Sequence, residues 1–208
     1  MRRFLQILRT FVPILVLGTI LGGCYMPMKF DAEIEVTRGG YYSMIFDGYI
    51  VKIPLYTDIQ DKKIKPFEIR EKAELFRKSL ARDASVTSVS YVQQGVFQIN
   101  WQRQGDILQA KFVTFMQRNE NMLSLRYVKT DGTIRMAGAT PSKDQRDQLA
   151  KIGLDTQGQI RVITDAKVQS HNATRIKELP ARGAKFKMFI WEIVDIYTPS
   201  PQLVISLY

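Results

Sequence analysis

His171 is the only histidine in the sequence, and it stands between Ser170 and Asn172. A serine hydrolase needs a histidine backed by an acid and facing a hydroxyl. Ser170 is the chain neighbour of His171 and cannot face its ring productively, and no Gly-x-Ser-x-Gly elbow occurs. The expectation is a histidine that caps a loop by hydrogen bonds through Asn172. A zinc site needs three or four His, Cys or carboxylate ligands, and one His with one Cys excludes the usual patterns. Carboxylates do fall in groups: Asp31/Glu33/Glu35, Asp144/Asp147 and Glu192/Asp195. A glycosidase sets two of them across a cleft. The first group alternates with apolar residues and reads as the solvent face of a strand. Glu192 and Asp195 lie in the apolar stretch 189–196, where a salt bridge to a nearby Arg or Lys is the plainer role and catalysis the sharper one. Trp101 and Trp191 fall on predicted strands, where they would fill the core or line an apolar pocket for a lipid tail. Gly22-Gly23 and Gly39-Gly40 lead into no helix, so there is no phosphate-binding loop. No catalytic residue, metal or dissociable cofactor is assigned. Trp101, Trp191, Glu192, Asp195 and His171 are the candidates for a ligand site or cleft.

The remaining reactive side chain is Cys24, the only cysteine in 208 residues. Before it come Arg2, Arg3 and Arg9, an apolar stretch from Phe11 to Leu21, and then Leu21-Gly22-Gly23-Cys24. That is the layout of a secretory signal. Its apolar stretch is about half of the roughly 20 residues that a spanning helix requires. The last four residues resemble the bacterial lipobox, with Gly22 where Ala or Ser is commoner. The resemblance implies cleavage between Gly23 and Cys24, a diacylglycerol on the thiol and an N-acyl chain on the new amine. Stable anchoring takes two or more chains, each buried CH₂ contributing about 0.8 kcal/mol. A lipidated Cys24 leaves no thiol for disulfide, redox or nucleophilic chemistry. Tyr25 in place of Asp implies sorting to the inner leaflet of the outer membrane, facing the periplasm. Residues 24–29 would then be the acylated cysteine and a tether, and residues 30–208 one domain, with a subdivision near 140 as the alternative.

Removing residues 1–23 removes three arginines and leaves 27 basic against 20 acidic side chains, a net +7. Such an excess favours anionic partners: lipid or lipopolysaccharide head groups, peptidoglycan carboxylates or nucleic acid. The compartment and the lack of any recognition motif set nucleic acid aside. The positives are scattered, with clusters at Lys62, Lys63, Lys65 and at Arg175, Lys177, Arg182, Lys185, Lys187 that suit solvated loops.

The elements that must position these residues show mostly period-two alternation. Phe30, Ala32, Ile34 and Val36 lead to a turn at Arg38-Gly39-Gly40, followed by Tyr42, Met44 and Phe46. Asp47-Gly48 is expected to be a bulge or bend before Tyr49, Val51 and Ile53, and residues 57–65 a loop. Pro66 opens a helix to about Arg82, with Ile69, Ala73, Phe76 and Leu80 as its apolar stripe. Strands follow at 86–93 and 96–102, then turns at Gln94-Gly95, Arg103-Gln104-Gly105, Arg118 to Asn121 and Thr130-Asp131-Gly132. Between those turns, alternation predicts strands over 108–116, 123–127 and 134–136. Ser142 with Gln145 forms a capping box for a second helix that Gly153 ends. Strands at 159–166, 186–196 and 202–207 flank a loop at 170–182, and Pro199 and Pro201 mean the last two strands need not pair. The fold class is α+β: an antiparallel meander of roughly nine strands with two helices packed on it.

The layout resembles a group of uncharacterised bacterial envelope lipoproteins. It is carried by Leu21-Gly22-Gly23-Cys24, Lys29 to Ile34, Asp47-Gly48, Val162 to Ala166 and His171-Asn172-Ala173. It is loosely similar to the LppM-type lipoproteins, whose domain is linked to envelope glycolipids. The resemblance implies a location more than a mechanism. The leading expectation is a non-enzymatic, lipid-anchored binding or scaffolding module with an anionic lipid, glycolipid or envelope-protein partner. The alternatives are a lipid or glycolipid carrier with an apolar pocket between sheet and helix 67–82, and an anchored hydrolase. A carrier needs an apolar cavity of about 300 Å³ or more, a hydrolase needs its acids and histidine grouped in a cleft, and a scaffold needs an extended exposed apolar patch.

Overall fold

A computed structural model describes residues 25–116 and 122–207. The signal segment, Gly23, Cys24 and the turn expected from Arg118 to Asn121 lie outside the described residues. Strands β1 (Tyr25–Val36) and β2 (Tyr41–Lys52) form a long hairpin, followed by helices α1 (Ile53–Gln60) and α2 (Pro66–Leu80). Next come β3 (Val86–Gln93), β4 (Val96–Asp106), the single helical turn α3 (Ile107–Ala110), β5 (Phe112–Phe115), β6 (Leu123–Val128) and β7 (Thr133–Gly138). Helix α4 (Lys143–Lys151) precedes β8 (Gln157–Thr164), β9 (Lys167–His171), β10 (Arg175–Glu178), a 3₁₀ turn at Pro180–Arg182, β11 (Lys187–Ile193) and β12 (Gln202–Ser206).

The fold is α+β, as alternation implied, with twelve strands in two mostly antiparallel sheets among the described residues. Seven strands run in the order β10-β11-β8-β1-β2-β4-β3 and five in the order β5-β6-β7-β12-β9. The meander is interrupted where neighbours are not consecutive in the chain: β2 with β4, β1 with β8, β8 with β11, β7 with β12 and β12 with β9. β8 inserts beside β1 in parallel, the one parallel pair among the described strands, so β1 is covered on both edges. Strands after residue 140 join both sheets, with β8, β10 and β11 in the first and β9 and β12 in the second. β11 and β12 thus lie in different sheets, as the two prolines between them allowed.

Alternation gives each sheet one apolar face, and the two faces share one core. Ile34, Met44, Ile99, Val162 and Trp191 face it from the first sheet, and Leu125, Ile134, Met136, Leu203 and Ile205 from the second. Rings join the sheets: Phe46 on β2 stacks on Phe115 of β5 at 4.0 Å, and Trp101 meets Phe115 edge-on at 5.3 Å. Helix α2 buries Ala73 and Leu80 in the same core. Its expected end near Arg82 comes two residues earlier, where Ala81 caps the helix.

Several expectations are corrected. Residues 25–29 are not a tether: β1 begins at Tyr25, opposite Lys52, and Met26 faces Val51. Ile53 is not the end of a strand and residues 57–60 are not loop, because α1 begins at Ile53 with Pro54 in its first turn, and its Ile53 and Leu55 are buried. Gly105 does not turn the chain. β4 continues past it to Asp106, paired with β2 throughout. The segment expected as a strand from Leu108 begins instead with α3, whose first turn is capped when the Asp106 carboxylate accepts from the Leu108 amide at 2.7 Å. The loop expected at 170–182 holds the end of β9 and all of β10. The bulge expected at Asp47-Gly48 is on the facing strand: β2 runs unbroken, and β1 shifts register between Pro27 and Phe30. At the β1–β2 turn Gly40 has φ +87°, a left-handed value that favours glycine.

Candidate functional site

β1 and β8 are parallel, so both start at one end of the first sheet, and antiparallel β11 finishes there. At that end the sheets part around a cavity of about 530 Å³. Tyr25, Met26 and Phe30 of β1 line it, with Ile160 of β8 and Ile193 of β11. Its far side is formed by Gly138 to Pro141, by α4, and by the segment from Ile196 to Pro201. Helix α4 is placed by its capping box. The Gln145 amide donates to Ser142 Oγ at 3.2 Å, and the Ser142 amide donates to Gln145 Oε1 at 2.8 Å. This fixes which face turns inward, so that Gln145, Arg146 and Leu149 face the cavity. Leu149 completes a small apolar cluster with Met26, Val51, Ile53, Leu154 and Ile196, which ties α4 to the start of β1.

The lining is apolar apart from a few hydroxyls, Gln145 and one charge. Arg146 is the sole charged residue among those that line the cavity. Its Nε is buried and has no hydrogen-bond partner. The guanidinium lies 5.9 Å from the centre of the Tyr197 ring, at the edge of cation–π range. Its sequence neighbour Asp147 is engaged elsewhere, accepting from the Tyr197 hydroxyl at 2.8 Å and pairing with Lys143 at 3.6 Å. The Thr198 hydroxyl donates to Asp195 in its own turn, and the Ser200 hydroxyl donates to the Ala139 carbonyl of the loop after β7, so both are engaged.

A second concavity, of about 660 Å³, opens at the opposite end of the same strands. Arg38, Asp165, His171 and Phe189 line it, with Lys167, Lys185 and Lys187 at its edge. Arg38 closes on Asp165, its amide donating at 2.8 Å and its Nε at 3.0 Å, which fastens the β1–β2 turn to the end of β8.

The candidates read from the sequence are dispersed. His171 ends β9 beside the second concavity. Its Nδ1 accepts from the Ala173 amide at 3.1 Å, so the loop it caps is held through Ala173 rather than Asn172. Its ring meets Phe189 edge-on at 5.0 Å. Glu192 is on the other face of β11, since side chains alternate along a strand. There Gln159 donates to it at 2.9 Å and Arg175 donates at 2.5 Å, which is the salt-bridge role. Asp195 sits in the turn after β11 and accepts from the amides of Tyr197 and Thr198 at 2.9 and 2.8 Å. Trp101 and Trp191 are buried in the core, their Nε1–H groups donating to Asp83 at 3.1 Å and Asn172 at 2.8 Å. Neither tryptophan lines either cavity. Asp31, Glu33 and Glu35 lie on the solvent face, where Arg161 reaches Asp31 and Glu33 and Arg182 reaches Glu35. Among the described residues no three His, Cys, Asp or Glu side chains group as a metal site would need.

Two residues escaped sequence reasoning. The sequence points to Asn172 only as the neighbour through which His171 would cap its loop. Its Oδ1 accepts from Trp191 Nε1 of one sheet and from the Gln202 amide of the other, both at 2.8 Å, so it clasps the two sheets. In sequence, Arg146 is one of several charged residues on a polar helix. The sign available was its place one turn before Leu149, the residue that anchors that helix.

The carboxylates give a pH expectation. Hydrogen bonds from Gln159 and then Arg175 hold the Glu192 carboxyl below its usual range. Burial pushes Asp165 up, and the Arg38 amide and guanidinium more than offset it, so its net shift is also downward. A carboxyl whose folded pKa is depressed stabilises the fold above its unfolded pKa, and that stability is lost as pH falls through the folded value. The urea midpoint is therefore expected to be level above about pH 5 and to fall as the pH drops below about 4. A midpoint that rises on acidification would contradict this assignment.

Neither a family model nor a curated protein sequence matches the chain. Among solved structures, the folded domain of LppM from Mycobacterium tuberculosis is similar with a TM-score of 0.43 and 11% identity, over 91% of this chain and 94% of that one. An M1 zinc metallopeptidase from Deinococcus radiodurans is similar with a TM-score of 0.36 and 12% identity, over 88% of this chain and 42% of that one. At such values neither likeness bears on activity.

Proposed function

We propose that the chain is a lipid-anchored envelope protein that binds the apolar part of a lipid-like ligand in the cavity beside Tyr25. The observation that carries this reading is the cavity itself, about 530 Å³ with mostly apolar walls. That volume is within the range of about 300–1,000 Å³ typical of small-molecule sites. The carrier reading is thereby preferred to the pure scaffold, and its pocket moves. It lies between the ends of the two sheets and α4, because α2 packs directly on the core through Ala73 and Leu80. A hydrolase would bring His171, Glu192 and Asp195 together, and they occupy the edge of the second concavity, an outer sheet face and a turn. Exposed large apolar side chains are spread over several elements, with Tyr41, Ile45 and Tyr49 on β2, Phe67 and Leu75 on α2, and Val194 and Tyr197 after β11.

The position of the cavity suits an anchored protein. Tyr25 lines it and directly follows Cys24, the residue proposed to carry diacylglycerol and an N-acyl chain at the periplasmic face of the outer membrane. A ligand entering or leaving would do so at the end of the fold nearest the bilayer. No helix among the described residues is long and apolar enough to cross a membrane.

The test is native mass spectrometry of the protein purified gently from bacterial membranes. The expected result is a stoichiometric lipid adduct in addition to the covalent acyl chains. Ile193→Trp, which places a large ring in the cavity wall, should remove the adduct while the protein still unfolds cooperatively. A wild-type protein that is folded and carries only its covalent chains, and that takes up no added lipid, would overturn the reading.

A further inference from the structure

The cavity is apolar, yet one cation faces it. We infer that its ligand is an amphiphile with a single anionic head group, a carboxylate or a phosphate, held by Arg146. This rests on the proposal that the cavity binds a lipid-like ligand, and it adds the chemistry of the head group. Three observations converge on it.

First, Arg146 is the sole charged residue among the lining residues, so nothing in the wall neutralises it. Arg146 is half-buried, and a guanidinium beside an apolar space has fewer waters to replace a missing counter-ion. Second, its Nε is buried without a partner, and buried N–H groups are nearly always satisfied by protein, water or ligand. The acids that could have taken this role are committed. Asp147 binds Tyr197 and Lys143, and Asp195 accepts from Tyr197 and Thr198 in its own turn. Third, the geometry of a guanidinium suits this task. Its fork of N–H donors can grip two oxygens of one carboxylate or phosphate, and it stays charged at any physiological pH.

The rest of the wall supplies the other half of an amphiphile. From Arg146 the space runs past Leu149 to Ile160, Ile193 and Phe30, with no second charge for a second head group. A second, separate anionic group or a cation would have no partner there. A wholly neutral lipid would leave Arg146 unpaired.

The experiment is a competition read by native mass spectrometry on the full protein purified from membranes with its anchor intact. The probes are palmitic acid and cetyl alcohol, which share a tail and differ in head-group charge, at neutral pH. Hydrogen bonds to charged groups contribute enough that the acid is expected to bind about tenfold or more tightly than the alcohol. Arg146→Gln should erase that preference, so that acid and alcohol bind equally. Arg146→Lys, which keeps the charge and loses the fork, should retain part of it. Inorganic phosphate at equal concentration should leave the acid in place. Displacement by phosphate would mean a free-anion site and overturn the inference. So would equal binding of acid and alcohol to the wild type, or a preference that survives Arg146→Gln, and in either case the cavity reading stands. If neither probe binds the folded wild type, the cavity reading itself falls and this inference with it.

Discussion

Phe46→Ala is expected to destabilise the protein by about 3–5 kcal/mol, as large aromatic truncations in packed cores do. Phe46 is central to a stack that spans both sheets. Phe30 of β1 lies on one side at 5.4 Å with planes 12° apart, and Phe115 of β5 on the other at 4.0 Å and 21°. Trp101 of β4 then closes edge-on over Phe115. Truncation removes the ring that both neighbours contact, and rigid strands leave little room for collapse into the gap. The urea midpoint at neutral pH should fall while the slope of the transition is unchanged. A change smaller than about 1 kcal/mol would mean that the sheets close without this stack. Because Phe30 also lines the cavity, the same variant should bind lipid less well, which couples stability to the proposed site.

Much of the first sheet could be read from the chain because its strands are long and strictly alternating. β3 matches its expected span of 86–93, and the turn at Gln94-Gly95 is where expected, with φ of +48° and +77°. The capping box at Ser142 likewise placed α4, since a cap is a local interaction written in four consecutive residues. What could not be read was non-local. α1 was hidden because its eight residues bury only Ile53 and Leu55, too few to establish a helical period against the strand pattern that precedes them. The parallel β1–β8 pair joins segments more than a hundred residues apart, and nothing in either segment names the other.

The candidate site was the least legible part for the same reason. Its walls come from the first halves of β1 and β8, the end of β11, helix α4 and two loops, none of them unusual in composition. The rare residue types that attracted notice, His171, Trp101 and Trp191, serve packing or loop closure. The residue on which the ligand inference turns, Arg146, is one of 30 basic side chains and differs from the others by what surrounds it. Burial without a partner is a property of the fold.

Gly158→Ala is expected to be as disruptive as a core truncation, although it adds one methyl group. Gly158 is in the second pair of the parallel ladder, opposite Phe30. A Cβ built there would meet the Phe30 carbonyl oxygen at 2.4 Å and the ring at 2.7 Å. A flexible side chain could move aside, but the carbonyl belongs to β1, which is hydrogen-bonded between β2 and β8. The methyl can be accommodated only if the strands part at this point. β1 has little slack, because its register shift lies between Pro27 and Phe30, next to the contact. Overpacking of this kind costs about 1–3 kcal/mol and at times more, and rigid backbone on the receiving side argues for the upper end. Gly39→Ala is the control. Its Cβ would come no nearer than 3.8 Å to Thr37, and a compatible Gly-to-Ala change is expected to be neutral or stabilising by up to about 1 kcal/mol. Urea unfolding of both variants separates the two accounts. Equal effects would mean that glycine is needed at 158 for no reason of close approach, whereas loss at 158 alone would identify the strand junction that forms the cavity wall.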